Sequence, residues 1–119
     1  MSSFQERVKE WITHCFGSRI SEHKQERCLR FLEEAFELVQ SCDLPKEYAI
    51  KVLEYVYSRP RGKIHQEIGG VMITLAALTS CLQEDMQACG ELELSRVWVK
   101  IQEIRAKQAS KIQVNIAED

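Results

Sequence analysis

An all-helical single domain of about five helices is the fold class this 119-residue sequence predicts, on three observations. Apolar residues recur at spacings of three and four through most of the chain. No segment shows the strict apolar-polar alternation of a half-buried strand. Only two prolines and five glycines interrupt the pattern. The length suits one hydrophobic core, which places a single domain at 1–111 and a loose C-terminal tail at 112–119.

The first helix is expected from about Ser3 to Cys15, with Phe4, Val8, Trp11, Ile12 and Cys15 on one face. Ser3 and Glu6 have capping-box spacing, and Gly17 ends the helix. A second helix starts near Ser21 as N-cap and carries Cys28, Phe31, Leu32, Ala35, Phe36 and Val39, until Asp43-Leu44-Pro45 interrupts it. Pro45 suits the first turn of a third helix, striped by Ala49, Val52, Leu53 and Val56 and broken at Arg59-Pro60-Arg61-Gly62. The fourth, from about Lys63 to Leu82, is apolar almost all round, as befits a central helix with partners on every side. After Gly90 a fifth helix presents Leu94, Val97, Trp98, Ile101 and Ile104, a seam for neighbouring helices or a second subunit. One small domain cannot easily cover the fourth and fifth helices together, so a homodimer or homotetramer is expected.

Sixteen Lys and Arg against eighteen Asp and Glu leave a net charge of −2, without the basic footprint that nucleic acid requires. Five cysteines form no C-x-x-C pair, which suggests reduced thiols and a cytoplasmic setting rather than a disulfide framework or zinc knuckle. No signal peptide is expected at the N-terminus. The uncharged run from Ile68 to Gln83 is too short and too rich in Gly, Thr and Ser to read as a membrane span.

Chemistry is concentrated in Arg30-Phe31-Leu32-Glu33-Glu34-Ala35-Phe36-Glu37. Glu34 and Glu37, three apart, emerge on one helical face, where like charges cost a few tenths of a kcal/mol unless a cation lies between them. A hard divalent cation has that affinity for carboxylates and for substrate phosphates. The alternative is a solvated acidic face balanced by Arg30. Glu67, at the head of the uncharged fourth helix, is the second acidic position, because a lone carboxylate there is costly to bury unpaired. Packing of the second helix beside the fourth would bring Glu34, Glu37 and Glu67 together.

The strings RFLEEAFELVQ and HQEIGGVMITLAAL resemble the paired E-x-x-E and E-x-x-D motifs of the MazG-like all-α nucleoside triphosphate pyrophosphohydrolases, over about 26–107 of the chain. The resemblance implies a Mg2+ site, with Mn2+ as a substitute, and cleavage of a nucleoside triphosphate to monophosphate and pyrophosphate. Glu34 and Glu37 match the first pair and Glu67 the start of the second, while Gly70 stands where the family has its aspartate. Glu33 is a candidate ligand or water-orienting base. The missing carboxylate leaves a second expectation, a non-catalytic helical module that kept the fold and lost turnover.

Arg30, Lys100, Arg105 and Lys107 are the candidate substrate-binding cations. The last three, with Lys111, form a C-terminal basic series that suits either phosphate charge or a helix dipole. His65 falls off the face of Glu67. Trp11, Phe16 and Phe36 are read either as core or as stacking partners for a base.

Overall fold

The computed structural model describes residues 1–114, and all regular structure among them is helical. Seven helices replace the expected five: α1 Phe4–Phe16, α2 Ser18–Ser21, α3 Lys24–Ser41, α4 Lys46–Tyr57, α5 Ile64–Cys81, α6 Met86–Val99 and α7 Ile101–Gln108. No helix among the described residues is long and apolar enough to cross a membrane.

The capping box forms as read: Ser3 Oγ accepts from Glu6 N at 3.1 Å, and Glu6 Oε1 accepts from Ser3 N at 3.3 Å. Gly17, at φ 87°, closes α1 in a backbone conformation that a β-carbon would strain. The start of α3 differs from the expectation at Ser21. The Ser21 hydroxyl donates to Ser18 O inside the short α2, and His23 Nδ1 instead accepts from Glu26 N at 3.3 Å. The last expected helix also begins earlier and divides. Asp85 caps it by accepting from Ala88 N at 2.7 Å, and a break at Lys100 separates α6 from α7. Gly90 therefore lies inside α6, where a β-carbon would come within 3.1 Å of the Phe4 ring; the glycine allows close approach and does not break the helix.

α1, α2, α6 and α7 form a packed cluster that also holds the start of α3. Cys15 and Leu94 are its buried apolar residues. Arg7 grips Glu91 with two hydrogen bonds of 2.6 and 2.5 Å, tying α1 to α6. Trp11 Nε1 donates to Val97 O at 3.1 Å, and Arg105 donates to the carbonyls of Cys15 and His14 at 2.6 and 3.1 Å. Glu26 is 1% exposed and is matched by Arg30 at 3.2 Å, Arg27 at 3.9 Å and the Gln108 amide.

α4 and α5 contain no buried residue. Tyr57, Ile64 and Ile73 are each more than 70% exposed, and Phe31 on α3 is more than half exposed. α5 was expected to be central, yet within one chain it packs closely only against α6. The chain exposes 10069 Å², whereas a folded monomer of 13.8 kDa exposes about 6,600 Å². Its radius of gyration is 15.8 Å against about 13.5 Å for a compact chain of this length.

At the predicted start of the tail, Lys111 pairs with Glu33 at 3.1 Å and the Ile112 carbonyl accepts from Arg30. The rest of that segment, 115–119, lies outside the described residues.

Candidate functional site

α3 carries Glu33, Glu34 and Glu37 within five residues. Glu33 faces the cations of its own chain, Arg30 Nη1 at 3.5 Å and Lys111 Nζ at 3.1 Å. Glu33 and Glu37 border an open cleft of about 770 Å³ between α3 and α4, walled by Leu29, Phe36, Ile50 and Leu53. Glu34 feels α6: the Glu93 carboxylate acts on it, and it acts on Arg96. Desolvation, the charge of Glu37, and smaller contributions from Glu33 and Glu93 hold the Glu34 carboxyl above the usual carboxylate range, while Lys111 draws it down. Burial and like charge both disfavour the ionised form, and here they outweigh the single cation that acts the other way.

Glu67 stands elsewhere. It borders a second cleft of about 760 Å³, formed by Phe31 of α3, the end of α4, the α4–α5 loop, and Ile68, Val71 and Met72 of α5. Its carboxylate rests on Gly62, where a β-carbon would lie 2.6 Å from Oε2. Within one chain α3 and α5 do not pack closely, so Glu34, Glu37 and Glu67 are not brought together. Among the described residues no three His, Cys, Asp or Glu side chains are grouped to hold a metal ion. Glu34 and Glu37 neighbour each other on α3, while Glu67 stands on α5 at the other cleft. Around Gly70 there is open space, with nothing within 4 Å of the position a β-carbon would take.

The expected phosphate-binding cations are engaged in the packed cluster or remote from both clefts. Arg30, 13% exposed at its side chain, serves Glu26, Glu33 and the Ile112 carbonyl. Lys100 pairs with Glu103 at 3.5 Å, and Arg105 is spent on the α1 carbonyls. Lys107 is exposed in the last turn of α7, where it complements the helix dipole. Trp11 and Phe16 meet edge to face at 6.2 Å within the cluster, whereas Phe36 lines the α3–α4 cleft. Sequence reasoning passed over Arg59 and Arg61, which border the Glu67 cleft. The signal was present in Arg59-Pro60-Arg61-Gly62-Lys63, which reads first as a helix break.

Compared with protein-family models, curated proteins and solved structures, the chain has no match in any of the three.

Proposed function

We propose that the chain is a cytoplasmic, Mg2+-dependent nucleoside triphosphate pyrophosphohydrolase that acts as a homo-oligomer. The observation that carries the reading is the acidic turn of α3, where Glu33, Glu34 and Glu37 lie within five residues and where burial, then the charge of Glu37, push the Glu34 carboxyl above the usual carboxylate range. Such a turn gains by taking up a hard cation, and a cation held there is suited to phosphate oxygens. The resemblance of the α3 and α5 strings to the paired acidic motifs supports the same chemistry.

Assembly belongs to this reading because one chain leaves its acidic residues apart. Each chain exposes about 3,500 Å² beyond a compact monomer, several times the roughly 800 Å² per partner of a standard interface. Most of the large exposed apolar side chains lie on α3, α4 and α5, so a second copy covering part of that face would bring further residues to it. Gly70 favours the second reading, a non-catalytic module, since the position of the family aspartate offers space and no carboxylate.

A panel of ribo- and deoxyribonucleoside triphosphates with Mg2+ or Mn2+, read by pyrophosphate release, separates the two. Turnover of at least one triphosphate, lost in Glu37→Gln and Glu67→Gln, is expected. A panel without turnover, from a protein of oligomeric mass, would hand the reading to the non-catalytic module.

A further inference from the structure

The cleft that holds Glu67 is bordered by a loop whose cations have no carboxylate partner among the described residues. Arg59 and Arg61 both line it, and Lys63 follows as the N-cap of α5. Arg59 is positioned by its own helix: its guanidinium lies 5.0 Å over the Tyr55 ring and donates to the Tyr55 hydroxyl at 3.1 Å. Pro60 next to it restricts the backbone, and Gly62 lets the loop close onto the Glu67 carboxylate. These two contacts restrict the guanidinium before any ligand arrives, which lowers the entropy lost on binding.

Two guanidinium groups lining one cleft match the oxygens of a polyanion better than those of a single carboxylate. The rest of the cleft is different in kind: Phe31, Tyr57, Ile68 and Met72 offer flat and apolar surface, in a volume typical of small-molecule sites. We propose that this cleft binds a phosphate-bearing ligand with a flat apolar body, the phosphates on Arg59 and Arg61 and the body against Phe31 and Tyr57. The inference rests on the proposed reading only for the ligand's identity, a nucleoside triphosphate having both parts. It moves phosphate binding from the C-terminal basic series to the α4–α5 loop.

The test is binding without turnover. The full chain in EDTA is titrated calorimetrically with inorganic tripolyphosphate and, separately, with ATP. Arg59→Ala and Arg61→Ala are each expected to weaken both ligands about tenfold, the loss of one charge-assisted contact. Arg59→Lys should lose part of that, keeping charge without the fork. Tyr57→Ala should weaken ATP and spare tripolyphosphate. Arg19→Ala, the same charge change on the exposed surface of α2, should alter neither. Circular dichroism checks that each variant folds. Absence of binding by the wild type, unchanged affinity in both loop-arginine variants, or an equal loss in Arg19→Ala overturns the proposal. Because no metal is present, loop-dependent binding by a protein without hydrolysis would uphold this cleft and sink the enzyme reading. Hydrolysis with affinity indifferent to both arginines would do the reverse.

Discussion

The cluster of α1, α2, α6 and α7 and the arm of α4 and α5 are both built from helices with apolar residues to cover, yet only the first satisfies itself. In the cluster, side chains close specific gaps between helices: Arg7 to Glu91, Trp11 to the Val97 carbonyl, Arg105 to the α1 carbonyls. In the arm no residue is buried, although α5 is among the most apolar stretches of the chain. The difference shows that hydrophobicity states how much surface wants covering without stating what covers it. Within its own chain the arm is partnered closely only where α5 meets α6, and most of its apolar surface stays uncovered.

The largest expected effect breaks that comparison directly. Ile73 is 72% exposed in the single chain, so Ile73→Glu should be nearly neutral if the arm faces water. Covered by a second copy, the same charge would be buried unpaired at a cost of several kcal/mol. We expect light scattering to give a dimer or tetramer for the wild type and a dissociated or unfolded protein for the variant. A monomeric wild type, with Ile73→Glu equally stable, would mean that the arm is simply solvated.

The cluster should respond to an ordinary core lesion. Leu94 is 8% exposed, and Leu94→Ala should lower unfolding free energy by about 2–4 kcal/mol at constant protein concentration. Urea denaturation reads it. A loss below about 0.5 kcal/mol, typical of surface positions, would show that the cluster is not the self-sufficient half of the molecule.

The smallest effect concerns pH at the junction between the two regions. Glu34 has a raised carboxyl pKa, so the folded state holds this proton more tightly than the unfolded chain does. Its ionisation therefore destabilises: the favourable contribution is present in acid and is lost as pH rises from the ordinary carboxylate range through the raised value. Glu34→Gln should remove that downward slope, leaving the variant with a slightly higher Tm than wild type at neutral pH and little difference well below the carboxylate range. The reverse ordering at neutral pH would place a cation beside Glu34 and not a crowd of like charges.

Where local chemistry decides, the residues are legible in order. Ser3 and Glu6 mark a helix start that forms as read, Gly17 marks its end, and Asp43-Leu44-Pro45 separates two helices. Ser21 and Gly90 misled for local reasons of another kind. His23 competed successfully for the cap, and Asp85 offered a stronger start than the position after Gly90. The candidate site was legible as residue types, with Glu33, Glu34, Glu37 and Glu67 all on helices. Its assembly was not, because a spacing of three fixes neighbours on one helix and says nothing of which helix lies opposite.

By itself, then, the sequence determined an all-helical chain, its capped first helix, its crowded acidic turn and an excess of apolar surface, since these depend on contacts within a few residues. Tertiary structure alone decided that Arg30 reaches the Ile112 carbonyl and that Arg105 ties α7 to the end of α1. It also decided that Arg59 and Arg61 stand beside Glu67. Pairings of that kind join residues distant in sequence or across a loop, and they form only when packing sets the helices against one another. The same rule explains why α5, apolar on every side, reads as the centre of one chain and does not sit there: its composition records the need for partners and cannot record whose they are.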